Sequence, residues 1–219
     1  MSRIANWIKK YNCQILAFLC ALIPRLILNC FALPLRTQSD ELATLAGGAF
    51  LGGKDWSGIV SQAGYYGFGF TALFAPLFRL SDDPVLIYRL ILVVESVMQA
   101  SIALMAFYLM KRYFKIEHKW FLTVASVACS YMVVTRTMIV YNEHALIFCS
   151  WLICVLLFRL LEHQNDSKKK AIDTVLLMAL LSYTLLLHTR SWMYWIVLAI
   201  FYVAYFIRNR RSFLAILPG

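Results

Sequence analysis

Long apolar runs separated by short polar segments dominate this chain. Several runs approach the roughly 20 residues that an α-helix needs to cross a bilayer. Backbone groups in lipid must be paired within their own segment, which makes such runs helical. The pattern therefore predicts an all-α, polytopic transmembrane bundle formed by a single module over residues 1–219. The predicted spans, about six of them, cover roughly 13–34, 85–110, 120–137, 144–161, 172–188 and 192–207.

One connection between the predicted spans is long, and it covers residues 35–84. Within it, 42–51 is apolar with small residues and ends at a Gly-Gly pair, while 68–80 is rich in aromatic residues. Both runs are too short to cross a bilayer. We expect two short helices that lie in the membrane interface, partly re-entrant, within this first loop.

Basic residues predict the orientation of the spans. The chain carries a net charge of +10. Most of its basic residues fall in four groups that share one side of the membrane: 3–10, 111–119, 168–170 and 208–211. The positive-inside rule makes that side cytoplasmic. We therefore expect a multi-pass protein of a bacterial plasma membrane with a cytoplasmic N-terminus and an outer loop at 35–84. Short basic groups at helix ends do not indicate nucleic-acid binding.

Composition agrees with a membrane protein. Hydrophobic residues make up 62% and charged residues 15% of the chain, against about a quarter charged in soluble domains. All six cysteines lie in apolar spans without metal-ligand spacing, which favours a packing role and predicts no metal. The first apolar run is too long for a cleavable signal peptide. A new apolar stretch begins just before Gly219, so we expect the chain to be a portion of a longer protein.

Asp40 and Glu41 form an acidic pair just beyond the first span, on the predicted outer side. The pKa values of two neighbouring carboxyl groups in surroundings of low dielectric can separate, which leaves one group ionised as a base. Such a base can accept a proton from an attacking hydroxyl group. The alternative is a pair of hydrated carboxylates in a loop.

Two further candidate sites lie at outer turns. Glu143 follows Tyr-Asn at the junction of the third and fourth spans, where it can bind a sugar or stabilise a helix N-terminus. His188 and Arg190 lie between the fifth and sixth spans. Arginine suits phosphate binding, but an arginine beside interfacial tryptophans also extends to lipid headgroups.

Arg25 and Glu95 both lie inside predicted spans, where ionisable residues need partners. Arg25 and Glu95 are each about nine residues from the outer end of a span, or roughly 13 Å deep. Equal depth predicts an ion pair. Tyr65 and Tyr66 precede the second short helix and are candidates for stacking on a sugar or a prenyl chain, or for anchoring in the interface.

These features in this order resemble the GT-C superfamily of membrane glycosyltransferases, in particular its protein O-mannosyltransferase and aminoarabinose-transferase-like branch. The similarity rests on motifs distributed over nearly the whole chain. They are Leu-Ile-Pro-Arg25-Leu, Ser-Asp40-Glu41, the stretch 65–80 beginning Tyr-Tyr-Gly-Phe-Gly-Phe, Asp-Asp-Pro followed by Arg89, Arg136 before Glu143, and His188-Thr-Arg190.

The resemblance implies a function and roles for these residues. It implies transfer of a sugar from a polyprenyl-phosphate donor to a lipid, glycan or protein acceptor, without a metal or other cofactor. Asp40 would be the base or would orient the acceptor, with Glu41 beside it. Substrate-binding roles would fall to Glu143, Tyr65, Tyr66, His188, Arg190, Arg25 and Arg136.

The chain departs from the family pattern in length and in detail. Family members are usually far longer, their second-loop acid is usually aspartate rather than Glu143, and the Lys-Pro-Pro of some relatives is replaced by Gly-Tyr-Tyr-Gly at 64–67. A non-catalytic membrane subunit, a scaffold and a transporter half therefore stay open as alternatives.

Overall fold

A computed structural model describes residues 3–32, 39–56, 58, 67–131, 138–163 and 165–208; at 3–10, 39–40, 204–206 and 208 it describes the backbone only. Within these ranges the chain is all-helical, with eight α-helices and no strand. The helices are α1 Arg3–Cys30, α2 Ser39–Leu51, α3 Phe68–Leu80, α4 Pro84–Arg112, α5 Lys119–Tyr131, α6 Asn142–Glu162, α7 Ser167–Leu187 and α8 Trp192–Arg208.

Four helical segments are long and apolar enough to cross a membrane: Tyr11–Cys30, Pro84–Arg112, Asn142–Glu162 and Ser167–Leu187. They coincide with four of the predicted spans. The other two predicted spans correspond to α5, with 13 described residues, and α8, with 17. The count of six spans stays a prediction, in part because 132–137 lies outside the described residues.

Capping residues in the sequence set where two of the long helices begin. Asp83 precedes α4, and its side chain accepts a hydrogen bond from the backbone N–H of Val85 at 2.9 Å. Pro84 occupies the first helical position, where its missing N–H is not needed. Asp166 accepts from the N–H of Lys169 at 3.2 Å at the start of α7. Both caps are the short polar residues that helix N-termini favour.

Helices α1 and α4 are antiparallel and pack through small residues. Ala17 and Ala21 of α1 cluster with Ala100 and Ala103 of α4, and all four are fully buried. Small side chains let helix backbones approach closely, which is how membrane helices gain packing energy. Asn29 adds a polar tie, because its amide donates to the carbonyl of Leu92 at 3.1 Å and to the hydroxyl of Ser96 at 2.7 Å.

One end of the bundle holds the ends of α4 and α6, the starts of α5 and α7, and six lysines; we call it the basic end. Arg112 forms an ion pair with Glu162, which links α4 to α6. Asp173 of α7 is completely buried. Its carboxylate lies 2.8 Å from the guanidinium of Arg159 and 2.7 Å from Nδ1 of His163. The six lysines are 111, 115, 119, 168, 169 and 170.

Helices α2 and α3 lie at the opposite end, which we call the α2–α3 end. Both short helices that the sequence predicts in the loop are therefore present, and their place in the membrane interface stays a prediction. Helix α3 lies directly against α7. A side-chain Cβ built at Gly67 would be 1.9 Å from the carbonyl oxygen of Leu186, so only glycine allows this approach. The hydroxyl of Tyr183 donates to the carbonyl of Gly69 at 3.0 Å.

Candidate functional site

Glu41 is bound inside the bundle at the α2–α3 end. Its side chain has no exposed surface. Oε1 accepts hydrogen bonds from the Tyr88 hydroxyl at 2.6 Å and from the backbone N–H of Val140 at 3.0 Å. Oε2 has no hydrogen-bond partner within the described residues. Glu41 therefore fixes the start of α2 to α4 and to the α5–α6 connection.

Burial raises the pKa of Glu41 above the ordinary value for a glutamate, although the hydrogen bonds from Tyr88 and Val140 lower it in part. Removing water penalises the charged form of a carboxyl group. A partnerless oxygen adds to this penalty when the group is ionised. The site thus favours the protonated form of Glu41 over a wider pH range than solvent does.

Glu95 is the second buried carboxylate at this end. Its Oε1 accepts from the backbone N–H of Tyr141 at 3.0 Å, and its Oε2 lies 3.3 Å from Nδ1 of His144. The exposed fraction is 3% for the Glu95 side chain and 4% for that of His144, so water does not screen the pair. Gln99, one turn further along α4, donates to the carbonyl of His144 at 2.8 Å.

Glu41 and Glu95 are brought together by one short piece of backbone. The N–H groups of two consecutive residues, Val140 and Tyr141, each donate to one of the two carboxylates. The carboxylates consequently lie near each other, with the Tyr88 hydroxyl within electrostatic range of both. We call this group the carboxylate cluster: Glu41, Tyr88, Glu95 and His144. Such a cluster can hold and exchange a proton, because carboxyl, phenol and imidazole groups both donate and accept.

A cavity of about 290 Å³ lies at the α2–α3 end. Leu42 and Ile87, which line it, directly adjoin Glu41 and Tyr88 in sequence. Lys54 and Asp82 form an ion pair at its margin, and this pair lowers the pKa of Asp82. The volume lies near the lower limit of ligand pockets in proteins, which suits a ligand group about the size of one ring. The remaining lining residues are Trp56, Phe78, Ser81 and Pro84.

Other residues predicted from the sequence also lie at the α2–α3 end. Glu143 is in the first turn of α6 and half-buried, and its Oε2 has no hydrogen-bond partner within the described parts of the chain. His188 ends α7 and is 7% exposed, and its Nδ1 accepts from the backbone N–H of Arg190 at 3.0 Å. Arg190 itself is exposed. A hydrogen bond connects the start of α6 to the end of α7 at the α2–α3 end, since the Asn142 amide donates to the carbonyl of Leu187 at 2.7 Å.

The predicted ion pair between Arg25 and Glu95 is not formed. Arg25 is 2% exposed and donates to the carbonyl of Ala21 at 2.6 Å and to that of Ser130. Its guanidinium lies 4.3 Å from the ring centre of Tyr131, a cation–π contact. Equal depth was not sufficient to predict contact, because Arg25 lies on the side of α1 that meets α5 and finds its partners there.

The side chains of four predicted site residues fall outside the described part of the structure. Tyr65, Tyr66 and Arg136 lie outside the described residues, and for Asp40 the structure describes the backbone in α2 but not the side chain. Their roles stay predictions. Among the residues that the structure describes, no group of three histidine, cysteine, aspartate or glutamate side chains gathers as metal ligands.

Sequence reasoning missed Tyr88 and His144 as members of the cluster. His144 could have been identified from the sequence. A glutamate inside a span, such as Glu95, needs a polar partner, and His144 is the first residue of the fourth predicted span. The sequence contained no comparable signal for Tyr88. The buried Asp173 was also missed, although Arg159 in a neighbouring span indicated that a buried carboxylate was needed.

Comparison of the chain with protein-family models, curated proteins and solved structures gives no match.

Proposed function

We propose that this chain is the membrane module of a glycosyltransferase that moves a sugar from a polyprenyl-phosphate donor to an acceptor at the α2–α3 end. The resemblance of the sequence motifs to GT-C enzymes supplies the reaction class. The observation that supports the proposal is that the carboxylate cluster and a ring-sized cavity share the end of the bundle where Glu143, His188 and Arg190 also lie.

In this proposal Asp40 is the catalytic base and Glu41 is a positioning residue. A completely buried carboxylate does not touch an acceptor hydroxyl, but Glu41 fixes the first turn of α2, in which Asp40 is the neighbouring residue. A base must be held within hydrogen-bond reach of the proton that it accepts. The bonds of Glu41 to Tyr88 and Val140 supply that rigidity.

Donor binding is assigned to the turn that follows α7. Arg190 is exposed and suited to a phosphate, and His188 precedes it in the same turn and fixes it by accepting from its backbone N–H. A sugar in the cavity would stack on Trp56, since aromatic faces suit the apolar faces of sugar rings. In this arrangement the acceptor and the leaving phosphate both lie next to the bound sugar, as displacement at the sugar carbon requires.

The proposed orientation places the basic end in the cytoplasm. The lysines of the α4–α5 and α6–α7 connections, together with the N-terminal basic residues, satisfy the positive-inside rule in that arrangement. With six spans, as proposed, the α2–α3 end then faces the outer side of a bacterial plasma membrane, where polyprenyl-linked donors are used by enzymes of this class.

The proposal is tested by sugar transfer in proteoliposomes that contain a labelled polyprenyl-phosphate sugar and mixed acceptors. Asp40→Asn keeps the side-chain size and removes the proton acceptor, so transfer should fall by at least about a hundredfold while donor binding persists. Arg190→Ala should mainly weaken donor binding. Glu117→Gln, an exposed carboxylate at the basic end, is the matched control. Normal transfer by Asp40→Asn would exclude the assigned base.

A second candidate function is proton-coupled transport, for which the Glu95–His144 pair is the specific observation. Buried carboxylate and histidine side chains inside membrane spans are typical of proton relays. Liposomes with an internal pH dye distinguish the two functions. Transport predicts a substrate-driven proton flux that Glu95→Gln abolishes, whereas glycosyl transfer predicts no flux with any polyprenyl-phosphate sugar.

A further inference from the structure

A second cavity, of about 370 Å³, lies at the basic end, on the opposite side of the bundle from the carboxylate cluster. It is bounded by the first part of α1, the end of α4 and the start of α5. Three lysines line it at every fourth position: Lys111, Lys115 and Lys119. Glu117 is the carboxylate among the lining residues. The other lining residues are Asn12, Cys13, Gln14, Phe107, Ile116 and Leu122.

No carboxylate in the described part of the chain neutralises these lysines. All three are exposed, and none has an ion-pair partner within the described ranges, whereas Arg112 and Lys169 at the same end are paired with Glu162 and Asp166. With Glu117 included, the lining carries an excess of positive charge. The cavity is therefore suited to an anion with several acceptor oxygens.

Exposed aromatic side chains adjoin the lysines. Phe114 is 64% exposed, Trp120 69% and Phe121 54%. Aromatic residues of this kind concentrate at the level of lipid headgroups, where one side meets the acyl chains. Lys115 has a φ of 53°, a conformation that lysine rarely adopts, and it turns the chain between α4 and α5.

We propose that this cavity binds the phosphate headgroup of an anionic phospholipid. Phosphate is the chemistry that three unpaired lysines recognise, and the adjoining aromatic residues indicate that the phosphate arrives attached to acyl chains. Basic pockets between transmembrane helices are a known way in which proteins hold such headgroups. The site is independent of the proposed sugar transfer, because it lies at the other end of the bundle.

Native mass spectrometry of the full chain in a neutral detergent tests this site. Phosphatidylglycerol should be retained at one copy per chain, and phosphatidylcholine should not. Replacing all three cavity lysines by glutamine should weaken phosphatidylglycerol binding by about a hundredfold, since one lysine near an anionic headgroup contributes about fivefold. The matched control replaces Lys168, Lys169 and Lys170 by glutamine, which removes the same charge at the same end and should leave binding unchanged.

A single substitution tests the site even if the variant with all three lysines replaced does not fold. Lys115→Gly removes one charge at a position whose φ of 53° suits glycine, so the fold should be kept. Its affinity for phosphatidylglycerol should fall about fivefold. Equal losses in the cavity variant and the control would overturn the site in favour of diffuse surface charge. Displacement of the lipid by millimolar inorganic phosphate would overturn the lipid as its ligand.

Discussion

At the scale of single residues, the hydrogen bonds of Glu41 decide what a substitution there does. Glu41→Ala leaves the N–H of Val140 without an acceptor, while the Tyr88 hydroxyl can turn to the carbonyl of Met138, 3.2 Å away. A stranded buried donor costs about 1–3 kcal/mol. We expect Glu41→Ala to lower the stability by about 2 kcal/mol or more in detergent melting curves. Glu41→Gln keeps Oε1 as acceptor and should stay within about 1 kcal/mol of the parent.

The raised pKa of Glu41 makes this part of the stability depend on pH. The unfolded chain releases the proton near pH 4.3, and the folded chain holds it to a higher pH. The folded state therefore binds more protons between these two values, and stability falls as the pH rises through the folded pKa. When melting temperatures are measured from pH 4 to 8, the melting temperature of Glu41→Gln should rise relative to that of the parent as the pH increases. A constant difference between the two would contradict the assignment.

At the scale of helices, the contact between α3 and α7 depends on the absence of side chains at two positions. A Cβ at Gly67 would lie 1.9 Å from the carbonyl oxygen of Leu186, and one at Gly69 would lie 2.8 Å from its carbonyl carbon. We expect Gly67→Ala and Gly69→Ala each to destabilise the protein by about 1–3 kcal/mol, because α3 must move away. Among the described residues nothing lies within 4 Å of a Cβ built at Gly58, so Gly58→Ala is the control and should have little effect on the melting temperature.

The positions of the helices were largely predictable from the sequence, and their partners were not. Hydropathy located the two short helices and four of the spans. A helix that is buried needs an apolar sequence whether lipid or protein surrounds it, so apolar runs mark such helices. Contact partners depend on helix rotation, which apolar periodicity hardly defines when a helix is apolar on all sides. Arg25 shows the consequence, since its depth was estimated from the sequence but its contact with Tyr131 depends on which side of α1 it occupies. Glu41 and Val140 are 99 residues apart, and no local pattern connects them.

At the scale of the whole molecule, the two ends of the bundle should lie on opposite sides of the membrane. Single cysteines introduced at Asp55 and at Lys168, both exposed, report on the α2–α3 end and on the basic end. In a background without the six native cysteines, an impermeant maleimide added to intact cells should label position 55 and not position 168. Permeabilised cells, in which both positions react, are the control. Labelling at 168 alone would invert the proposed orientation and exclude every outer site.

The link between the carboxylate cluster and the 140–141 backbone also constrains how the protein is made. Glu41 and Tyr88 are synthesised well before Val140, the last group to which Glu41 binds, and ribosomes add about 5–20 residues per second. Synthesis of the residues between Tyr88 and Val140 takes roughly 3–10 seconds at these rates. During that time the Glu41 carboxylate lacks one of its two hydrogen-bond donors. The α2–α3 hairpin can complete its docking only when the segment before α6 has been made, so the candidate site is assembled late, from pieces that are synthesised at different times.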